Sequence, residues 1–261
     1  MLRKCFNLLS ASLVVLWACS FMAQNKPALH TIGDSTVRNA NKETWGWGTP
    51  VAELFDTTRI HVENNAMAGR STRTFLSEGR WDKVLETLKP GDFVTMQFGH
   101  NDGSVPDTTK AGYRGTLKGT GEETKTLTWP EGRIEVVHTY GWYLRKFVRE
   151  AKGKGAVPIV VSMIPRNEFR DGKVLRADKD FGLWAKEVAA EEHAFFIDLN
   201  SIVADKYDKL GPEKVKAFFP GDHTHTNLEG ARLNAQSVAE GIKKLKRCDL
   251  AKYLTKFDFY K

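Results

Sequence analysis

The sequence predicts an α/β fold in which one parallel sheet is covered by helices on both faces. Short apolar segments of strand length alternate with longer segments whose apolar residues recur at helical spacing. Such alternation is typical of parallel sheets, because each helix returns the chain to the starting edge of the sheet. The 261 residues, 41% of them hydrophobic and 27% charged, suit a single globular domain of this kind.

Five segments are predicted as strands, and each is mainly apolar and bounded by Gly, Pro or polar residues. Strands that are buried on both faces show mainly apolar runs, and residues 92–98 are a candidate for such a strand. Three of the strands end in glycine followed by polar residues. In chain order, the predicted strands are residues 28–33, 60–66, 92–98, 157–163 and 194–199.

The helices are predicted from apolar spacing and from the residues that start or end helices. Pro50 favours the start of one helix, and the turn at Gly69 leads into a second helix that Pro90 and Gly91 end. The apolar residues of that second helix are Phe75, Trp81, Val84, Leu85 and Leu88. Residues 103–132 lack periodicity and are predicted as a long loop. The remaining predicted helices are residues 136–150, 177–193, 202–210 and 227–246.

The N-terminal segment has the layout of a secretory signal peptide. Arg3 and Lys4 precede an apolar stretch that ends near Ala23, and polar residues follow it. We expect residues 1–23 to be removed and residues 24–261 to form one domain in a secreted or periplasmic protein. A lipoprotein is the alternative, because residues 16–19 resemble a lipobox that ends at Cys19. The apolar stretch is short and interrupted by serines, so no stable membrane span is predicted.

Charge and cysteine content narrow the function classes. The net charge is +7, and removal of the leader with Arg3 and Lys4 lowers it to +5. The basic residues are scattered among 32 acidic ones without a long run, so nucleic acid is not predicted as a partner. Cys248 is alone once the leader is removed, so no intrachain disulfide can form and the fold depends on its core.

Ser35 follows the first predicted strand and is a candidate nucleophile. A serine hydroxyl reacts at neutral pH only when a base accepts its proton and a third group orients that base. Asp222 and His225 lie three residues apart in a predicted turn and supply both groups. Ordinary turn and cap roles remain open for these residues, and His223 is a rival base. A metal site at the His-x-His pair lacks a third ligand at a recognisable spacing, so no metal is predicted.

Acyl transfer also needs hydrogen-bond donors directed at the oxyanion that forms. The main-chain N–H groups of Ser35 and Gly69 and the side-chain amide of Asn101 are the candidates. All three follow predicted strands, and the carboxyl ends of parallel strands meet at one edge of a sheet. Gly69 and Asn101 are also common turn residues, which is the alternative interpretation.

Four sequence blocks occur in an order that resembles the SGNH (GDSL-type) hydrolase superfamily. They are Gly33-Asp34-Ser35, Gly69, Gly99-His100-Asn101-Asp102 and Asp222-x-x-His225. The usual Leu after the nucleophile is Thr36 here, which resembles the rhamnogalacturonan acetylesterase branch. Further segments with this resemblance are residues 97–102, 114–117, 119–124 and 222–227.

The resemblance implies a flavodoxin-like three-layer α/β/α sandwich with a five-stranded parallel sheet. It also implies that Ser35 is the nucleophile, His225 the base and then the acid, and Asp222 its orienting carboxylate. Ser35, Gly69 and Asn101 would form the oxyanion hole, and Asp34 would be a structural residue of the turn. No metal or organic cofactor is implied.

The implied activity is removal of O-acetyl groups from a pectic, acidic polysaccharide, which the basic net charge suits. The alternatives are an SGNH esterase on another acyl substrate, such as acetylated xylan, and a non-catalytic polysaccharide-binding protein with the same fold. Four tryptophans near the predicted site edge are candidates for stacking on sugar rings. They are Trp45, Trp47, Trp129 and Trp142.

Overall fold

The computed structural model describes residues 26–39, 43–109 and 113–260. The predicted leader and Cys19 lie outside these residues. The strands are β1 (Ala28–Gly33), β2 (His61–Asn64), β3 (Phe93–Gln97), β4 (Thr124–Thr128), β5 (Ile134–His138), β6 (Val157–Val161), β7 (Phe169–Arg170), β8 (Lys173–Val174) and β9 (Phe195–Ile197). The α-helices are α1 (Thr72–Ser77), α2 (Arg80–Thr87), α3 (Tyr140–Gly153), α4 (Phe181–Glu191), α5 (Leu199–Leu210), α6 (Pro212–Lys216) and α7 (Leu228–Lys244). Two 3₁₀ helices cover Pro50–Leu54 and Asp249–Tyr253.

Five strands form one sheet in the order β2-β1-β3-β6-β9, and all neighbours are parallel. This order confirms the predicted α/β class and its five-stranded parallel sheet. The chain places β2 on one side of β1 and then builds β3, β6 and β9 on the other side. The carboxyl ends of β1 and β3 therefore flank a topological switch point, where open α/β sheets hold their ligands.

Side chains that alternate along the strands divide the core into two layers. Ile159 and Val161 of β6 pack into one layer, and Val160 between them packs into the other. The first layer contains the 3₁₀ helix Pro50–Leu54 together with α5 and α7. The second layer contains α1, α2, α3 and α4. The result is the three-layer sandwich that the sequence predicts.

Several predicted helices differ from the observed ones, and two of them contain a break or a strand within the predicted range. The helix after Gly69 is in fact two helices, because Gly79 has φ +64° and interrupts the chain between α1 and α2. The helix predicted from residue 136 begins at Tyr140, since Thr139 is its N-cap and accepts a hydrogen bond from the N–H of Trp142. Residues 136–138 belong instead to β5.

The predicted loop at residues 103–132 contains a strand. β4 pairs antiparallel with β5 in a hairpin outside the main sheet. Its residues are mostly polar and exposed, so they lack the apolar run by which strands were recognised. The short hairpin β7–β8, α6 and the C-terminal 3₁₀ helix are also absent from the prediction, and the predicted helix at Pro50 is a 3₁₀ helix.

The described ranges contain no helix with the length and apolar character needed to cross a membrane. Cys248 is a free, buried cysteine that packs in the layer of α5 and α7.

Candidate active site

Ser35 lies in a tight turn directly beyond the carboxyl end of β1, at the switch point of the sheet. The main-chain carbonyl of Asp34 accepts hydrogen bonds from the N–H groups of Val37 and Arg38. The Oδ1 atom of Asp34 accepts two more from Thr36, at 2.8 Å from its N–H and 2.7 Å from its hydroxyl. The turn is thus fixed by the residues on both sides of Ser35, and Asp34 has the structural place that the resemblance implies.

A buried chain of hydrogen bonds joins this turn to β3. The Nε2 atom of Gln97 donates to the hydroxyl of Thr36 at 2.6 Å, and the indole of Trp47 donates to Oε1 of Gln97 at 2.7 Å. The Thr36 hydroxyl therefore accepts from Gln97 and donates to Asp34. A Leu side chain at this position could neither donate nor accept a hydrogen bond. Thr36 therefore suits a protein in which Gln97 and Trp47 continue this chain of hydrogen bonds.

His225 connects Ser35 to Asp222. Its Nε2 lies 2.8 Å from Oγ of Ser35, and its Nδ1 lies 2.6 Å from Oδ2 of Asp222. An imidazole with its proton on Nδ1 donates to Asp222 and leaves Nε2 free to accept the serine proton. These contacts form the continuous Ser-His-Asp arrangement that nucleophilic catalysis by serine requires.

The Asp222 carboxylate also shapes the turn that carries His225. Its Oδ1 accepts the N–H groups of Thr224 and His225 at 2.6 and 2.8 Å. Burial alone would raise the pKa of this carboxyl, but the hydrogen bonds from His225 and Thr224 lower the pKa to about 2. Asp222 is consequently ionised at neutral pH and orients the ring as a carboxylate.

The rival base His223 lies elsewhere. Its Nδ1 is 3.3 Å from a carboxylate oxygen of Glu168, and its side chain is largely exposed. The loop that carries His225 is bound to Trp45 through Thr226. The N–H of Trp45 donates to the carbonyl of Thr226, and the Thr226 hydroxyl donates to the carbonyl of Trp45. Of the two histidines, His225 is the one in contact with Ser35.

Gly69 lies in a turn after β2 that is closed by a hydrogen bond from the N–H of Arg70 to the carbonyl of Met67. Its φ of +77° corresponds to the third position of a type II turn, which favours glycine. A Cβ here would also collide with the guanidinium of Arg114. Within the described residues, the N–H groups of Ser35 and Gly69 have no hydrogen-bond acceptor, so both are available to a ligand.

Asn101 follows β3 at the same edge. Its Nδ2 donates to the main-chain carbonyl of Arg70 at 3.1 Å, which ties the amide to the turn of Gly69. An amide nitrogen carries two hydrogens, so one remains for a second acceptor. The structure therefore brings the three predicted oxyanion donors to one edge of the sheet.

An open cavity of about 530 Å³ contains all five predicted site residues. Arg114 also lines this cavity, and its guanidinium donates to the carbonyl of Gly69. No carboxylate oxygen of the described residues lies within 4.0 Å of that guanidinium. Arg114 belongs to a segment that carries the family resemblance, but it lies in the aperiodic loop, so the sequence did not indicate that it reaches the cavity. The lining residues are Ser35, Asn39, Glu43, Thr44, Ala68, Gly69, Asn101, Arg114, Pro220, Gly221, Asp222 and His225.

The four candidate tryptophans lie outside the set of residues that line this cavity. Trp47 is buried and donates to Gln97, and Trp142 stacks on His138 with ring centroids 3.7 Å apart. Trp129 donates its indole N–H to Glu135, and Trp45 holds the loop of His225 through its main chain. The side chains of Trp47, Trp129 and Trp142 therefore have partners within the protein, whereas the contacts of Trp45 involve its main chain alone.

Two buried titratable groups lie next to Asn101 in the chain. Burial raises the pKa of Asp102 to about 7, although its Oδ1 accepts hydrogen bonds from the N–H and hydroxyl of Thr72 at the start of α1. Burial likewise lowers the pKa of His100 to about 4. The uncharged forms of both side chains are therefore favoured by the interior behind the site.

Comparison with known proteins gives consistent results. The sequence matches the GDSL-like lipase/acylhydrolase family over residues 31–233. It is 31% identical over 214 residues to a rhamnogalacturonan acetylesterase from Emericella nidulans, covering 82% of this chain and 84% of that protein. It is 30% identical over 231 residues to the rhamnogalacturonan acetylesterase RhgT from Bacillus subtilis, covering 82% of this chain and 88% of that protein.

Solved structures share the fold. An acetyl xylan esterase from Geobacillus stearothermophilus superposes with a TM-score of 0.55 at 19% identity, covering 85% of this chain and 97% of that one. The protein YXIM from Bacillus subtilis superposes with a TM-score of 0.68 at 23% identity, covering 84% of this chain and 56% of that one. At these identities the likeness concerns the fold alone.

Proposed function

Because the chain belongs to the GDSL-like lipase/acylhydrolase family and is a carboxylic-ester hydrolase, we propose that it removes O-acetyl groups from rhamnogalacturonan through an acetyl-Ser35 intermediate. The observation that carries this proposal is the unbroken series of contacts from Ser35 through His225 to Asp222, beside two main-chain N–H groups that have no acceptor among the described residues. Such a set provides a nucleophile, a base, an orienting carboxylate and an oxyanion site in one cavity.

In the first half of the reaction, Ser35 Oγ attacks the acetyl carbonyl while His225 Nε2 takes the hydroxyl proton. The carbonyl oxygen becomes an oxyanion, which the N–H groups of Ser35 and Gly69 and the Asn101 amide stabilise. His225 then gives its proton to the sugar oxygen as the carbon–oxygen bond of the ester breaks. The sugar hydroxyl leaves and the acetyl group stays on Ser35.

In the second half, water replaces the sugar. His225 takes a proton from the water as its oxygen attacks the acetyl carbon, and the same donors stabilise the second oxyanion. The proton then returns to Ser35 Oγ as the acyl bond breaks and acetate leaves. Asp222 stabilises the imidazolium that forms in both halves.

Two observations support a pectic substrate. The two relatives described above are rhamnogalacturonan acetylesterases and cover most of this chain. The guanidinium of Arg114 enters the cavity of Ser35 without a carboxylate partner among the described residues, and guanidinium groups bind carboxylates well. A galacturonate carboxylate would fill that position, whereas neutral xylan has no such group.

We also propose that the protein is exported. Arg3, Lys4 and the apolar stretch up to Ala23 support removal of a leader, and Cys19 supports the lipoprotein alternative. N-terminal sequencing and intact mass of the protein from the culture medium and envelope distinguish the two. A chain that begins near residue 24 supports a signal peptide, and a lipidated chain that begins at Cys19 supports the lipoprotein.

The activity is tested by acetate release from acetylated rhamnogalacturonan, acetylated xylan and a chromogenic acetyl ester, with the native enzyme and the Ser35→Ala variant. We expect release from rhamnogalacturonan by the native enzyme only, with unchanged thermal unfolding of the variant. Release from xylan or the small ester alone would retain the chemistry and reject the substrate. Binding of pectin without any release of acetate would favour a non-catalytic binding protein.

A further inference from the structure

The edge of the sheet opposite Ser35 carries a second open cavity, of about 770 Å³, which we call the basic groove. Phe93, Val157 and Phe195 line it, and these are the first residues of β3, β6 and β9. Ser35 lies two residues beyond the end of β1, a strand of six residues that spans about 20 Å. The basic groove is thus separated from the candidate active site by the length of the sheet. Four cationic residues line it, namely Lys26, Arg59, Lys89 and Arg247.

The four cations of the basic groove make no close ion pair within the described residues, although hydrogen bonds from Thr58 and then the charges of Arg59 and Lys26 lower the pKa of nearby Asp56. No carboxylate oxygen of the described residues lies within 4.0 Å of any of the four side-chain charges. Asp92 and Asp249 are the acidic residues that line the groove. The two oxygens of Asp92 accept the main-chain N–H groups of Ala28 and Lys89 at 2.7 and 2.8 Å, and Asp249 pairs with Lys252 at 2.7 Å. Four cations therefore face these two carboxylates, so the residues that line the groove carry a net positive charge.

Aromatic side chains form part of the groove surface. The guanidinium of Arg59 lies over the ring of Tyr253, 5.2 Å from its centroid, and Arg59 also donates to the carbonyl of Lys252 at 2.8 Å. Tyr253 packs edge-to-face against Phe93, and Phe195 is half-buried beside them. Sugar rings stack on aromatic side chains through their C–H faces, and carboxylates pair with guanidinium groups. Phe93 is buried, so the half-buried rings of Tyr253 and Phe195 are the ones available to a sugar. The combination suits a chain of sugar acids.

We propose that the basic groove is a non-catalytic site that binds galacturonate residues of the same polysaccharide whose acetyl groups are removed at Ser35. The inference rests on the proposed function for the identity of the polymer, and on the unpaired cations and aromatic surface for the site itself. A polymer that occupies the groove raises the concentration of its other segments near the catalytic cavity. A neutral polysaccharide lacks the carboxylates that the four cations would pair with.

Binding is measured with unacetylated polygalacturonate and the Ser35→Ala protein, so that no turnover occurs. In this background, Arg59→Gln, Lys89→Gln and Arg247→Gln together remove three charges from the groove. The matched control replaces Lys179, Lys186 and Lys216 by Gln, because these exposed lysines have no ion pair among the described residues and their removal gives the same net charge. We expect about tenfold weaker binding for the groove variant and no change for the control.

Folding is controlled by a second variant. Lys89→Gln with Arg247→Gln leaves the Arg59 contacts intact, and neither replaced side chain has a hydrogen bond in the described part of the chain. We expect an unchanged melting temperature and a smaller loss of affinity. Added salt should weaken polygalacturonate binding by the groove-intact protein and have less effect on the groove variant.

Equal binding by the groove variant and its control would overturn the proposal. Binding to phosphatidylglycerol vesicles in place of polygalacturonate would also overturn it and indicate a membrane-facing surface. In enzymes with Ser35 intact, kcat/KM for long rhamnogalacturonan relative to the chromogenic ester should fall about tenfold in the groove variant. Absence of acetate release from rhamnogalacturonan, with groove-dependent polygalacturonate binding retained, would reject the proposed function and leave the groove assignment standing.

Discussion

Asp222 makes two separate contributions to the position of His225. Its Oδ2 lies 2.6 Å from Nδ1 of the ring, and its Oδ1 accepts the main-chain N–H groups of Thr224 and His225. One carboxylate therefore orients the imidazole and also holds the turn from which the imidazole projects. Substitutions can separate these effects.

Asp222→Asn is expected to lower kcat about 10⁴-fold, because an amide can keep the Oδ1 contacts while its N–H group favours the wrong ring tautomer. His225→Ala is expected to cost more, about 10⁶-fold. Asp222→Ala should also lower the melting temperature, since it removes the contacts to the turn. The measurements are kcat with a chromogenic acetyl ester and thermal unfolding. Near-native activity of Asp222→Asn would require a different orienting group.

Thr36→Leu is expected to destabilise the protein by about 2 kcal/mol, because Gln97 and Asp34 each lose a buried partner. Thr36→Ser keeps the hydroxyl and is the matched control, with a loss of less than about 1 kcal/mol. Urea unfolding at equilibrium gives both free energies of unfolding. The kcat of Thr36→Leu should also fall, because the turn that carries Ser35 becomes less ordered. Equal stability of Leu and native proteins would show that the contact between Thr36 and Gln97 does not hold the turn.

Arg114→Gln is expected to reduce kcat/KM for acetylated rhamnogalacturonan about tenfold more than for the chromogenic ester. The guanidinium also donates to the carbonyl of Gly69, so its loss could disturb the oxyanion donors. Such an effect would lower kcat/KM for both substrates equally, and the ratio of the two kcat/KM values does not contain it. Substrate whose galacturonate carboxyls are reduced to alcohols is the control. If native enzyme and Arg114→Gln show the same preference between acidic and reduced polymer, Arg114 does not recognise a carboxylate.

Asp102→Asn is expected to change how stability depends on pH. Burial raises the pKa of Asp102 from 3.8 to about 7, so between these values the folded protein retains a proton that the unfolded chain has released. Stability from this group is therefore lost as pH rises through that window. Asn keeps an acceptor for Thr72 and does not titrate, so its stability relative to the native protein should rise by about 2 kcal/mol between about pH 5 and about pH 8.

Chemical denaturation of both proteins at the two pH values measures this change. His100, with its pKa lowered to about 4, contributes the opposite slope in both proteins and cancels in the difference. A difference in stability that is independent of pH would show that the Asp102 carboxyl titrates in the folded protein as it does in the unfolded chain.

The buried strands were predictable because each is a run of apolar residues, and their parallel orientation follows from helices that return the chain to one edge of the sheet. The hairpin β4–β5 was not predictable, since most residues of β4 are polar and exposed and the hairpin is held by antiparallel pairing. The break at Gly79 was hidden in a sequence whose apolar spacing continues from α1 into α2. Helical periodicity alone does not report such an interruption.

At the site, the residues adjacent to strand ends were identifiable, and the structure brings Ser35, Gly69, Asn101, Asp222 and His225 into one cavity. Their roles in catalysis stay predictions. Arg114 reaches this cavity from a segment without periodicity, so only the folded chain shows its position. The same holds for Gln97 and Trp47, whose contact with the turn of Ser35 depends on the pairing of β1 with β3.

Ser35 and His225 are separated by 190 residues in the sequence, and every strand of the main sheet after β1 lies between them. Contacts between residues so far apart in sequence form late, because closing the long loop between them costs conformational entropy before the contact stabilises the chain. A nascent chain that ends before residue 225 has no base for its serine, so ester hydrolysis reports that all five strands of the main sheet have been made. Activity therefore appears only after the five strands and the loop of His225 have come together, and an unfinished chain leaves acetyl esters intact.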